Sequence, residues 1–132
     1  MTARISRDAY GLKLAEAAAL RADCTRRQVG AVIIAADGSV VSTGYNGRAS
    51  GLPGCASEGA CPRGRMTYAK QPAGLGYAET SCDAAHAEAN AIIRAGRERC
   101  GGATIFVTDK PCHGCAVLIA AAGLARTVYP PG

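Results

Sequence analysis

Two short motifs place histidine, glutamate and cysteine at spacings that suit a metal site. The first is H-A-E at residues 86–88, and the second is P-C-H-G-C at residues 111–115. Cys112 and Cys115 are three residues apart, so both thiols face the same way in the first turn of a helix. Helix N-termini favour the thiolate, which is the form that binds metal. With His86 as a third ligand, the spacing predicts a zinc site with one tetrahedral position open, as in catalytic zinc sites.

Glu88 makes such a metal site a candidate catalyst. It lies two residues after His86, so its carboxylate need not point at the metal. Zinc lowers the pKa of bound water to about 7. A carboxylate beside that water can take its proton and pass it to a substrate, and we predict this role for Glu88. His113 is predicted to face solvent, because the ligand set is complete without it.

Each motif alone is weak evidence. A lone C-x-x-C pair also occurs in redox and structural sites, and H-x-E occurs by chance in many chains. The two together, each at the start of a predicted helix, match the known signature of zinc nucleobase deaminases, in which the glutamate is not a ligand. This match favours a catalytic zinc over the redox and structural alternatives.

Length and composition define the class of protein. The chain has 132 residues, 48% of them hydrophobic and 19% charged, which predicts one domain over 1–132 and excludes a disordered chain or a coiled coil. The longest apolar runs, at 31–36 and 115–122, are much shorter than a bilayer span. The N-terminus carries Arg4 and Arg7 without an apolar stretch of the signal-peptide type. We therefore predict a cytoplasmic protein without a membrane partner.

Charge and cysteine content narrow the possible partners. Seven cysteines, an odd number without an export signal, argue against a disulfide framework. Fifteen basic and ten acidic residues give a net charge of +5, which fits an anionic ligand or a nucleic acid. The absence of Trp and the single Phe argue against base stacking, so a nucleic-acid partner is not favoured.

Periodicity and turn residues predict the elements that position these motifs. An Asp-Gly pair suggests a hairpin, and the helix between the last two strands predicts that they are parallel. The predicted fold is α/β, a mixed sheet of about four to five strands with a hairpin followed by parallel strands and with helices on both faces. The predicted elements are a helix over 6–22 capped by Ser6, strands Ala31–Ala35 and Val40–Tyr45, a helix over Ala85–Arg99, a strand over Ala103–Thr108, a helix over 111–122 and a strand over Arg126–Tyr129.

Two predictions concern helix faces and one concerns a loop. The first helix is predicted to be a packing helix, with a spacing of three to four residues at Tyr10, Leu14, Ala17, Ala18 and Arg21. The second is expected to bury Ala89, Ile92, Ile93 and Gly96 on its inner face. Residues 46–81 hold seven of the 17 Gly and three of the six Pro, with little periodicity. A structureless stretch of this length inside a compact domain is typical of a functional or metal-bound loop.

The chain resembles the deoxycytidylate deaminase branch of the zinc-dependent cytidine and deoxycytidylate deaminase superfamily, over roughly residues 6–129. Asn90, which the tRNA adenosine deaminases typically lack after their H-A-E motif, favours this branch. Besides the zinc signature, the resemblance rests on C-T-R-R-Q-V-G-A-V at 24–32, S-T-G-Y-N-G at 42–47, H-A-E-A-N-A-I at 86–92 and G-A-T-I-F-V-T at 102–108.

The resemblance implies a three-layer cytidine-deaminase-like fold and hydrolytic deamination of dCMP to dUMP with release of ammonia. In this reaction Glu88 protonates N3 of cytosine and then helps the amine to leave. The resemblance also implies that Asn46 contacts the sugar and that Ala87 contacts the substrate. Relatives form homo-oligomers (hexamers, or dimers and tetramers), and some respond to dCTP and dTTP. The alternatives are deamination of modified dCMP, CMP or deoxycytidine, a nucleic-acid cytosine deaminase, and a zinc module without activity.

The phosphate of such a substrate requires a cation. Arg offers a planar fork to phosphate oxygens, so we predict Arg26 first, followed by Arg27 and Arg97. By charge alone, Arg63 and Arg65 in the Gly-rich loop are equal candidates.

Four further cysteines suggest a second metal. The family brings a cysteine like Cys24 and one like Cys55 together, and some members bind a structural zinc there. A four-cysteine site completed by Cys61 and Cys82 would fit, and it would contribute folding free energy to residues 46–81. The alternative is a set of reduced, partly buried cysteines. Cys100 is predicted to be a packing residue.

Overall fold

The computed structural model describes residues 3–24, 27–49, 52, 54, 57 and 84–131. Helices and strands follow the predicted order along the chain. They are α1 (Arg7–Ala19), β1 (Gly30–Ile34), β2 (Val40–Tyr45), α2 (Ala87–Ala95), α3 (Arg97–Cys100), β3 (Thr104–Val107), α4 (His113–Ala121) and β4 (Arg126–Val128).

Within the residues that the structure describes, four strands form one mixed sheet in the order β2-β1-β3-β4. The central strand β1 is antiparallel to both of its neighbours, whereas β3 and β4 are parallel. The parallel pair is joined by α4, which confirms the crossover predicted from the sequence. The mixed sheet of four strands is therefore confirmed.

Alternate residues of β1 face two separate cores, because side chains in a strand point to opposite faces. Ala31 and Ile33 belong to the core that contains α2 residues. Val32 and Ile34 belong to the core that contains Ala15 of α1. All five residues of β1 are buried, as expected for a strand with helices on both sides. The three-layer arrangement follows from this division.

Two glycines allow the helices to lie directly against the sheet. A Cβ at Gly30 would lie 2.0 Å from the Ala15 carbonyl oxygen of α1. A Cβ at Gly44 would lie 2.2 Å from the Ala87 carbonyl oxygen of α2. These positions lie next to each other across the ladder, since Gly44 pairs with Ala31. The helices therefore approach the same end of the hairpin from its two faces.

The packed face of the first helix agrees only in part with the predicted spacing, because Leu14 packs against the core whereas Tyr10, Ala17 and Arg21 are exposed. Ser6 does cap α1, because its Oγ accepts a hydrogen bond from the Ala9 N–H at 3.0 Å. The buried residues of this helix are Gly11 and Ala15, whereas Tyr10 is 43% exposed. A Cβ at Gly11 would lie 2.4 Å from the ring of Phe106, so the smallest residues define the packed face. The close approach of the backbone thus overrides the spacing of the larger residues.

The predicted helix over 85–99 is divided into two shorter helices. Gly96 has a φ of 76°, a left-handed conformation that ends α2 before α3 begins. Ile92 is buried as predicted, but Ile93 is 74% exposed and Gly96 also lies at the surface. The other buried apolar residues of α2 are alanines, because the helix lies too close to the sheet for larger side chains. Cys100 is fully buried, which confirms it as a packing residue.

The substitution Gly44→Ala should lower the free energy of unfolding by about 3 kcal/mol, at the upper end of the usual cost of overpacking. The added methyl would meet backbone atoms of α2, which cannot turn away as a side chain can. Urea unfolding followed by circular dichroism measures the change. Gly101→Ala is the control, because the nearest atom to its Cβ lies 3.7 Å away. Equal stability losses for the two variants would contradict the close contact.

Candidate active site

The predicted metal ligands lie together at one point of the fold. The ligand atoms of His86, Cys112 and Cys115 are all within 4.8 Å of one another. His86 Nδ1 is 3.3 Å from Cys115 Sγ and 3.7 Å from Cys112 Sγ. Zn–N and Zn–S bonds in a tetrahedral site place nitrogen and sulfur about 3.6 Å apart. The three donor atoms therefore have the spacing that a zinc ion requires.

Two helix N-termini present these ligands. His86 is the N-cap of α2, and Cys112 is the N-cap of α4. The Cys115 backbone N–H donates to Cys112 Sγ at 3.5 Å, so this sulfur also caps its helix. The partial positive charge at a helix N-terminus favours a thiolate at both cysteines. The prediction that each motif begins a helix is confirmed.

Glu88 is buried beside the cluster, with only 4% of its surface exposed. Burial raises the pKa of the Cys115 thiol, and the nearby Glu88 charge and the Cys112 sulfur raise it further. If both cysteines were thiolates, they and the Glu88 carboxylate would place three negative charges close together. A divalent cation would offset them, so the donor set suits zinc in charge as well as in spacing. His113 is exposed, as predicted.

A cavity of about 150 Å³ adjoins the cluster. Its walls come from the segment before β1, the end of β2, the start of α2 and the segment between β3 and α4. Ala87 and Glu88 line it together with two of the three predicted zinc ligands. The lining residues are Cys24, Arg27, Val29, Asn46, Ala84, His86, Ala87, Glu88, Asp109, Lys110 and Cys112.

Asn46 holds one wall of this cavity in place. Its side chain is buried, and its Oδ1 accepts a hydrogen bond from the Val29 N–H at 2.8 Å. Its Nδ2 donates to the Arg27 carbonyl at 2.9 Å. The amide predicted to contact a sugar therefore lines the cavity and also fixes the backbone that carries Arg27. Sequence reasoning did not identify this second role.

Asn90 ties the helix of the first motif to the end of β2. Its Nδ2 donates to the Tyr45 carbonyl at 2.8 Å and to the Ala85 carbonyl at 3.5 Å. The Tyr45 ring lies near Arg94 and Arg21, at 5.1 and 5.8 Å from the guanidinium carbons. The guanidinium of Arg94, and to a smaller extent that of Arg21, lowers the pKa of the Tyr45 hydroxyl. Asn90, noted in the sequence only as a family feature, thus positions α2.

The predicted phosphate ligands are placed differently. Arg27 lines the cavity, and its guanidinium forms an ion pair with Asp109. Arg97 is exposed at the start of α3, beyond the far end of the nine-residue α2, about 13 Å along the helix from His86. The cavity therefore supports Arg27 and gives no support to Arg97. Arg26, Arg63, Arg65, Cys55, Cys61 and Cys82 lie outside the described residues.

Asp109 and Lys110 are cavity residues that the sequence reading missed. The available signal was their position, because two charged residues directly precede the P-C-x-x-C motif. Neither Asp109 nor Lys110 belongs to the zinc signature, so the motif gave no reason to single them out. Their proximity to Arg27 depends on the tertiary structure.

The fold and the site together define a class of protein. A three-layer α/β domain holds one histidine and two cysteines at helix N-termini, with a buried glutamate beside them. This arrangement is that of a zinc-dependent nucleobase deaminase.

Comparison with known proteins agrees with this class. The cytidine and deoxycytidylate deaminase zinc-binding region matches residues 5–130. The chain belongs to the cytidine and deoxycytidylate deaminase family. It is 46% identical over 123 residues to the deoxycytidylate deaminase of Mycobacterium phage D29, covering 93% of both chains.

Two further relatives extend the comparison. The deoxycytidylate deaminase of Schizosaccharomyces pombe is 39% identical over 127 residues, and this chain spans 37% of its length. The crystal structure of the dCMP deaminase from cyanophage S-TIM5 in complex with dCMP and dUMP has a TM-score of 0.68 at 26% identity. That match covers 96% of this chain and 83% of the cyanophage chain. The predicted fold and family are therefore confirmed.

The substitution Cys115→Ser should remove one equivalent of zinc per chain, because the cluster loses one of its three protein ligands. Metal analysis by mass spectrometry after gel filtration measures the change. Cys100→Ala is the matched control, since Cys100 is buried in the core outside the cluster. Unchanged zinc content in Cys115→Ser would contradict the assignment.

Proposed function

We propose that the protein is a zinc-dependent deaminase that hydrolyses dCMP to dUMP and ammonia. The observation that carries the proposal is the buried Glu88 beside the cluster of His86, Cys112 and Cys115, where Glu88 and His86 both line a cavity of about 150 Å³. The relatives named deoxycytidylate deaminase and the solved complex with dCMP and dUMP support this substrate.

His86, Cys112 and Cys115 would hold the zinc ion, which when bound makes water a strong nucleophile near neutral pH. Glu88 takes one proton as water adds to C4 of cytosine, and it delivers this proton to N3. It then transfers a second proton from the new hydroxyl to the exocyclic amine. The C4–N4 bond breaks, ammonia leaves, and uracil remains. Burial of Glu88 keeps bulk water from competing for these protons.

A second candidate substrate is a cytosine nucleoside such as deoxycytidine. The ion pair between Arg27 and Asp109 favours it, because the carboxylate already neutralises the described arginine at the cavity. Ammonia release from dCMP, deoxycytidine and CMP, assayed in parallel, distinguishes the candidates. Turnover of dCMP supports the first proposal, and turnover of deoxycytidine alone supports the second.

The substitution Glu88→Gln should lower kcat for dCMP by at least about 100-fold, because the amide cannot carry the proton. Zinc content should stay unchanged, since Glu88 is not a predicted ligand. Glu98→Gln is the matched control, as Glu98 is exposed on α3. Full activity of Glu88→Gln would refute the role proposed for this carboxylate.

We also propose a second, structural zinc held by Cys24, Cys55, Cys61 and Cys82. Support comes from the surroundings of Asp23, the residue before Cys24. Its carboxylate accepts hydrogen bonds from the Ser57 N–H and Oγ, both at 2.8 Å. A Cβ on Gly54 would lie 1.8 Å from Asp23 Oδ2. Residues 54 and 57, which flank Cys55 in the chain, therefore lie close to Asp23, the chain neighbour of Cys24.

If this second site exists, the native protein contains two zinc ions per chain and Cys24→Ser contains one. The variant should also melt at a lower temperature, because metal binding contributes folding free energy. Metal analysis and differential scanning calorimetry measure both changes, and Cys100→Ala again serves as the control. One zinc per chain in the native protein would exclude the second site.

The remaining predictions about partners and location stay predictions. No helix in the described part of the chain is long and apolar enough to cross a membrane. The cytoplasmic location, the homo-oligomer, regulation by dCTP or dTTP, the single-domain assignment and the absence of a nucleic-acid partner are expectations from the sequence and its family.

A further inference from the structure

Lys110 occupies a fixed place at the rim of the cavity. It lines the cavity together with Arg27 and Asp109, and its side chain is exposed. Pro111 follows it, and a residue before proline is restricted to extended backbone. Cys112, two residues further along the chain, caps α4 and belongs to the group of predicted zinc ligands. The backbone of Lys110 is therefore held at a set position relative to the predicted zinc ligands.

The charges around the cavity leave Lys110 available to a ligand. The lining residues include two carboxylates, Glu88 and Asp109, and two cations, Arg27 and Lys110. Asp109 forms an ion pair with Arg27, while Glu88 lies buried beside the predicted zinc ligands. Within the ranges that the structure describes, Lys110 has no ion-pair partner. A ligand whose base lies near Glu88 would present any anionic group toward the rim, where Lys110 lies.

Arg27 is held at two points beside Lys110. Its backbone carbonyl accepts the hydrogen bond from Asn46 Nδ2, and its guanidinium is bound by Asp109. A cation anchored in this way loses little conformational freedom when a ligand arrives. Lys110 acts as a compact point charge, which suits a phosphate that approaches with varying geometry.

We propose that Lys110 binds the 5′-phosphate of the substrate and that Asp109 is a positioning residue that holds Arg27 beside it. This inference rests on the proposed deaminase function and names the residues that select a nucleoside monophosphate over a nucleoside. It adds Lys110 and Asp109, the two residues before the P-C-x-x-C motif, to Arg27, which was expected from the sequence.

The test compares dCMP with deoxycytidine in the zinc-loaded full-length protein. Lys110→Met should lower kcat/KM for dCMP roughly 10- to 100-fold, the size expected from loss of a hydrogen bond to a charged group. The value for deoxycytidine should stay within about twofold of the native one, because this substrate lacks the phosphate. Lys110→Arg should restore most of the preference. Lys13→Met is the matched control, as Lys13 lies on α1 in an exposed pair with Glu16.

The positioning role of Asp109 has its own readout. Asp109→Asn should raise KM for dCMP while leaving kcat for dCMP and both constants for deoxycytidine unchanged. A purely structural role would change both substrates alike. Asp8→Asn is the matched control, because Asp8 forms a comparable exposed ion pair with Arg126. Equal losses with both substrates, or no loss with dCMP, would overturn the proposal for the residue concerned.

A binding measurement separates this inference from the proposed function. Calorimetric titration of dCMP into Glu88→Gln measures affinity without turnover, and adding Lys110→Met should weaken that affinity roughly 10- to 100-fold. If the native protein turns over neither substrate, the deaminase proposal fails, while this titration still tests Lys110. Equal dCMP affinity with and without Lys110→Met would refute the phosphate contact.

Discussion

The contact between α2 and β2 at Gly44 is the constraint on which the rest of the site depends. The helix backbone lies against the strand backbone because no Cβ separates them. The contact involves Ala87, which lies between His86 and Glu88, so the same contact fixes the height of both residues above the sheet. Asn90 adds a hydrogen bond to the Tyr45 carbonyl one residue further along β2. Steric fit and one polar contact thus position the catalytic helix.

The site also brings several acidic groups together, whose negative charge a cation would offset. Cys112, Cys115 and Glu88 are acidic groups near one another, and burial disfavours the thiolate of Cys115. The N-termini of α2 and α4 supply partial positive charge, and a zinc ion would supply the remainder. Metal binding would therefore complete the electrostatics of the site as well as its chemistry. Metal binding at such a site would also contribute folding free energy.

Polar contacts extend from the end of β2 to the entrance of the cavity. Asn46 fixes the backbone of Arg27, and Asp109 binds the guanidinium of the same residue. These contacts join the segment before β1, the end of β2 and the segment after β3, which are distant in sequence. The helix that carries Glu88 and the segment that carries Lys110 are thereby tied to the same strands. The residues proposed to select the substrate and the residue proposed to transfer the proton are thus connected to the same strands.

The sequence alone determined the order of helices and strands along the chain, the parallel crossover and the group of predicted zinc ligands. These features depend on local periodicity and short spacings. Cys112 and Cys115 are separated by one helical turn, so their geometry follows from the sequence. Tertiary structure decided which helix faces are buried, since Gly11 and Gly44 permit backbone contacts that hydrophobic spacing does not encode. It also decided that Arg27 forms an ion pair with Asp109, which is 82 residues away in the chain, and that Asn46 binds the backbone of Arg27. Such pairings depend on strand register and sheet order, which residue types and local spacing do not specify.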